Sequence, residues 1–173
     1  LSLPESHIIH GFDIDRLGKI LDEAHSEREE DIAQKRELSK ILIIFDDVVA
    51  QIAKNLQPML HLLYNRRHIG GGCSIILTSQ KFNKIPLEIR TVATAIFFFG
   101  TKNKQEIDTL WKEYINMSRK DFVEVLSFVF TKPHNFLYMN LEEPEKDMFY
   151  KNFNHLKITL PEEDMKLLNN ENK

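Results

Sequence analysis

Two kinds of spacing alternate along the chain. Between Asp13 and Ser39 the apolar residues Ile14, Leu17, Ile20, Leu21 and Ala24 recur near every 3.6 positions in an otherwise charged stretch, which predicts a helix with one apolar face. Ile41 to Phe45 breaks that period. Its five apolar residues, with no polar alternation, predict a strand covered on both faces in a parallel sheet. Asp46-Asp47 ends it abruptly. From Val48 to Arg67 the residues Val49, Ile52, Ala53, Leu56, Leu60 and Leu63 return to helical spacing, and Gly70-Gly71-Gly72 stops the helix. Cys73 to Thr78 then predicts a second strand, Pro86 to about Val92 a short helix, and Ala95 to Phe99 a third buried strand closed by Gly100. Two further helices are expected over Asn103–Ile115 and Ser118–Val129, the second with Ser118 as N-cap and Asp121 three residues on. Phe136 to Asn140 reads as a short strand, as does Ser6 to Gly11, and the acidic, Asn-rich tail from Glu162 reads as frayed. Strand, helix, strand, helix, strand is the pattern of an α/β fold with a parallel sheet and right-handed crossovers. In such sheets the chemistry collects at the carboxyl ends of the strands.

Length and charge narrow the choices. A chain of 173 residues supports one packed domain. Lys plus Arg is 23 against 26 for Asp plus Glu, a formal charge of -3, so any nucleic-acid surface must be a local patch. One cysteine excludes an internal disulfide, and Cys73 reads as a small buried hydrophobe in a reducing compartment. No apolar run approaches the roughly 20 residues that span a bilayer, and no signal peptide opens the chain, so an intracellular protein without membrane insertion is expected. The first residue is Leu1 rather than Met, from which a fragment or processed product is expected.

The strand ends hold the candidate chemistry. Asp46 and Asp47 follow the buried run, where an unpaired charge costs several kcal/mol unless hydrogen-bonded or metal-bound. An apolar strand followed by two acids is the Walker B pattern, the first acid on the Mg²⁺ side and the second polarising the attacking water. A helix cap by Asp47 is the competing structural explanation. Thr78-Ser79-Gln80 ends the second strand, where Gln80 could orient water or sense a γ-phosphate; an ordinary polar strand exit is the alternative. Arg66, Arg67 and His68 close a helix where its dipole favours cations, a sufficient structural explanation; the functional alternative is an arginine, such as Arg67, that reaches a phosphate. Arg90 is either a surface helix charge or an arginine finger or DNA contact in trans. With Lys81, Lys84, Lys102 and Lys104 it makes a weak basic patch.

Other features carry no such chemistry. Gly70-Gly71-Gly72 enters a strand at Cys73, and Gly18-Lys19 is followed by Ile20, so neither is a P-loop. His7 and His10 lack a third ligand for zinc. Phe97-Phe98-Phe99 and Trp111 read as core rather than base-stacking residues.

The run Ile41-Leu42-Ile43-Ile44-Phe45-Asp46-Asp47, then Arg67-His68, then Ser74-Ile75-Ile76-Leu77-Thr78-Ser79-Gln80, then Ile85-Pro86-Leu87-Glu88-Ile89-Arg90 resembles the genome-packaging ATPases of large DNA viruses, relatives of the FtsK and HerA translocases. The similarity is strongest from Ile41 to about Tyr114 and weaker around Met148 to Phe153. The resemblance implies a RecA-like parallel sheet with flanking helices, a ring of subunits, and ATP-driven movement of double-stranded DNA into a capsid. It implies ATP and Mg²⁺ as cofactors and capsid or portal components as partners, in the host-cell cytoplasm, a viral factory or the virion. Asp46 then corresponds to the metal-side acid, Asp47 to the catalytic acid and Gln80 to the sensor. Arg67 and Arg90 match recurring arginines of the pattern, as finger or phosphate contact, and Lys81 and Lys84 are candidate DNA contacts. No Walker A is present. In the family's fold the P-loop strand lies between the strands expected at Cys73–Thr78 and Ala95–Phe99, so residues 1–160 read as the carboxy-terminal portion of the core, 161–173 as a tail, and the missing strand as upstream. Another P-loop helicase or translocase, or an α/β scaffold without nucleotide chemistry, would share part of this pattern. The chain as it stands is expected not to bind ATP tightly.

Overall fold

The structure, a computed structural model, describes residues 5–158, so the acidic tail lies outside the described residues. It contains helices with both parallel and antiparallel strands, and divides into two compact units, one up to Val92 and one from Ala93.

In the first unit, α1 (Ile14–Ala33) starts where the Asp13 carboxylate accepts the Arg16 N–H at 3.0 Å, and the chain leaves it through Lys35 at φ 56. β1 (Ile41–Phe45) and β2 (Cys73–Leu77) form a two-stranded parallel sheet in the register Ile41↔Cys73 through Phe45↔Leu77. The single helix expected between them is two, α2 (Val49–Lys54) and α3 (Leu56–Asn65), followed by a 3₁₀ turn at Arg66–His68. Pro58 explains the break: it has no N–H and its ring conflicts with the carbonyl four residues back, so the helix restarts after Asn55 with Pro58 in its first turn. α4 (Leu87–Arg90) follows Pro86. Leu17, Phe45, Ile52, Met59, Leu60, Leu62, Leu63 and Ile89 form the core, with Ile43, Ile75 and Leu77 packed against it.

Within this unit only that face of the parallel pair is covered. On the other face Leu42, Ile44 and Ile76 are 57%, 55% and 48% exposed, which corrects the expectation of a strand buried on both sides. The helices of this unit pack on one face, and among the described residues the outer edges of β1 and β2 carry no further strand. Ser6 to Gly11 is not a strand either. Glu5–His7 is a 3₁₀ turn, and Gly11, at φ 78, turns the chain so that Gln51 Oε1 accepts the Phe12 N–H at 2.5 Å. The glycine run before β2 passes the α1–β1 connection closely: a Cβ on Gly71 would stand 2.6 Å from the Leu38 carbonyl oxygen.

The second unit holds a four-stranded sheet in the order β3 (Ala95–Phe99), β4 (Phe136–Asn140), β5 (Phe149–Lys151), β6 (Asn154–His155), antiparallel throughout. β3 is therefore not hydrogen-bonded as a third parallel strand; its partner among the described residues is β4, which the turn after α6 sends back alongside it. α5 (Lys104–Tyr114) and α6 (Arg119–Val129) begin at Asn103 and Ser118, whose side chains accept the Gln105 and Asp121 N–H groups. Phe122 and Val129 of α6, Leu137 and Met139 of β4, and Phe149 of β5 are fully buried. The opposite face of the sheet is aromatic, with Phe97 stacked on Tyr138 at 4.8 Å and Phe97 and Phe99 51% and 58% exposed, so of the three phenylalanines of β3 only Phe98 is buried. Trp111 donates its indole N–H to the Met117 carbonyl at 2.9 Å, a structural use.

Candidate acid site at the carboxyl ends of the parallel strands

The register that pairs Phe45 with Leu77 brings the next residues of both strands together. Thr78 Oγ1 donates to Asp46 Oδ1 at 2.5 Å and accepts the Asp47 N–H at 3.1 Å. Gln80 Nε2 donates to Asp47 Oδ2 at 2.7 Å. Asp46, Asp47 and Gln80, expected from sequence on two separate strand ends, thus form one hydrogen-bonded cluster. Thr78 is the member that sequence reasoning misses, although the expected pairing of the two strands would place it opposite Asp46.

Two details change the sequence-based picture. Asp46 and Asp47 are both exposed, so water satisfies their charge and burial does not demand a cation. Asp47 is no helix cap either: α2 begins one residue later, with Val48 at the N-cap position and no side-chain cap bond. Its backbone instead sits at φ 52, the left-handed region that Asp tolerates better than most residues. Among the described residues, Asp46 Oδ2 and Asp47 Oδ1 are left without a protein partner.

The acids fit Mg²⁺ bound in the way that ion prefers, through one or two carboxylates, water and substrate phosphates rather than an all-protein cage. Among the described residues no group of three or more His, Cys, Asp or Glu converges. A triphosphate cradle is a different matter, because no Gly-Lys-Ser/Thr enters a helix anywhere in the chain. The residues fit the acid half of a nucleotide site and not its phosphate-binding half.

Arg67 is exposed in the turn that leads into β2, at the amino end of the parallel pair, so the length of the strands, roughly 16 Å at about 3.3 Å per residue, separates it from Asp46 and Asp47. Arg90 is half-buried, donates to the Ile85 carbonyl at 2.7 Å and lies over the Phe82 ring, 5.5 Å from its centre. Lys81 and Lys84 are exposed in the segment directly after Gln80, where Ser79 Oγ donates to the Lys81 carbonyl at 3.0 Å. Lys102 and Lys104 belong to the second unit. Cys73 is buried, and desolvation pushes its thiol pKa above the ordinary value, with the Arg66 charge acting against that shift.

A family model described as Poxvirus A32 protein matches residues 7–140, a span that contains the whole acid cluster and ends with β4. No curated protein and no solved structure matches the chain.

Proposed function

The chain belongs to the Poxvirus A32 protein family, a family of viral genome-packaging ATPases, and from that premise we propose that it is the Walker B and sensor portion of an ATP-driven double-stranded DNA translocase related to FtsK and HerA. The observation that carries this reading is the joining of Asp46, Asp47 and Gln80 at the carboxyl ends of two adjacent parallel strands, where open α/β sheets place their ligands.

In this reading Asp46 would hold Mg²⁺, and the ion when bound would neutralise charge on the nucleotide phosphates. Asp47 would polarise the attacking water with Oδ1, while Gln80, bonded to Oδ2, would sense the γ-phosphate. Arg67, distant from its own acids and exposed, suits a contact delivered to a neighbouring subunit's phosphates in a ring. Arg90, engaged with Ile85 and Phe82, suits that role less. Lys81 and Lys84 extend from the sensor strand and are our candidate DNA contacts. The phosphate cradle would come from a P-loop strand outside this chain, completing a RecA-like sheet. Capsid or portal components would be the partners, and the host-cell cytoplasm, the viral factory or the virion the place of action.

The test is DNA-stimulated ATP hydrolysis by this chain and by a form extended upstream with its native coding sequence. Activity confined to the extended form supports the proposal. Inactivity of both, with folded protein, overturns it in favour of a scaffold without nucleotide chemistry.

A further inference from the structure

We propose that Thr78 is the positioning residue of the acid pair, its single hydroxyl fixing the side chain of Asp46 and the backbone of Asp47 at once. The inference rests on the reading of Asp46 and Asp47 as Walker B acids. Thr78 Oγ1 has one proton, and it goes to Asp46 Oδ1 at 2.5 Å. That bond leaves Oδ2 as the open ligand position. The same oxygen accepts the Asp47 N–H at 3.1 Å, at the one residue of the strand end whose φ is positive. A left-handed non-glycine residue persists where its surroundings over-determine it. Here the surroundings are Thr78 on the backbone and Gln80 on the side chain, 2.7 Å from Oδ2. Gln80 alone leaves the Asp47 peptide free to turn, and no other described residue hydrogen-bonds the Asp46 carboxylate. Thr78 is itself anchored, its N–H donating to the Phe45 carbonyl at 2.9 Å as the β1–β2 ladder continues. Valine has nearly the shape of threonine without the hydroxyl, so Thr78→Val isolates the two bonds; Thr78→Ser retains them.

Two measurements test this. In the 173-residue chain, amide hydrogen exchange at Asp47 is read by NMR, with the β1–β2 ladder amides as the control for folding. Thr78→Val should speed exchange at Asp47 by roughly tenfold or more, the scale of a broken hydrogen bond, and Thr78→Ser should leave it near wild type. Thr78→Ala supplies the same deletion should the valine variant fail to fold. In the upstream-extended protein, Thr78→Val should lower kcat by roughly tenfold or more and raise the Mg²⁺ concentration for half-activity, with ATP affinity unchanged, while Thr78→Ser stays within about threefold. Unchanged exchange at Asp47 in Thr78→Val overturns the inference. So does wild-type kcat and Mg²⁺ dependence in that variant when Asp47→Asn is inactive. Full hydrolysis by Asp47→Asn overturns the Walker B reading itself, which separates the two failures.

Discussion

Asp47 carries more constraints than any neighbour at the strand end: a positive φ, a donated N–H and a carboxylate half occupied by Gln80. Asparagine tolerates the same backbone region, so Asp47→Asn preserves the turn while removing the carboxylate proposed to polarise water. In the upstream-extended protein it should abolish ATP hydrolysis and leave binding of a non-hydrolysable ATP analogue within about threefold, a kcat effect rather than a uniform binding effect. Cys73 offers a second test at this scale. Burial raises its pKa in the folded chain, so as pH climbs the unfolded chain releases its thiol proton first. The contribution of Cys73 to stability is complete below the ordinary thiol range and is lost as pH rises from that range through the raised folded-state pKa. Urea titrations from neutral pH to above the thiol range should show that loss, and Cys73→Ala should flatten it. Of the site, Asp46, Asp47 and Gln80 are legible in the sequence because residue type and strand end suffice. Thr78 is not, because its role depends on which residues lie opposite across the parallel pair.

At the scale of elements, most of the architecture is legible where period and caps agree. α1, α5 and α6 follow the 3.6 spacing and open at Asp13, Asn103 and Ser118, whose side chains cap them, and β1 to β4 coincide with the apolar runs. β5 and β6 escape because three and two residues are too short to show alternation, and they exist by pairing with β4 and each other. The split of the second helical stretch is written in Pro58, but the apolar spacing continues through it and hides the break. Continuous apolar composition also misleads: it tells of strands but not of cover. Two substitutions probe the packing that does exist. Ile52→Ala, at a side chain with no exposed surface, should cost about 2–5 kcal/mol in denaturant unfolding. Gly71→Ala, whose Cβ would meet backbone at 2.6 Å, should cost about 1–3 kcal/mol by overpacking.

For the whole molecule, a net charge of -3 makes DNA attraction a property of a few placed lysines. Neutralising Lys81 and Lys84 together in the upstream-extended protein should weaken DNA stimulation and lower the slope of log affinity against log salt by about 0.9 for each phosphate no longer neutralised, with basal hydrolysis unchanged. The run Ile41 to Phe45 has a bearing on how every such experiment is done. It is short, uncharged and rich in β-formers, with an open edge and a bare apolar face among the described residues, the composition from which fibrils grow. Lys40 on one side and Asp46-Asp47 on the other act as gatekeepers against that outcome. Replacing both aspartates by asparagine would extend the uncharged stretch from Ile41 to Ala53, so the double variant should shorten the lag of thioflavin-positive aggregation relative to Asp47→Asn alone. The same two carboxylates would then serve solubility as well as the role proposed for them.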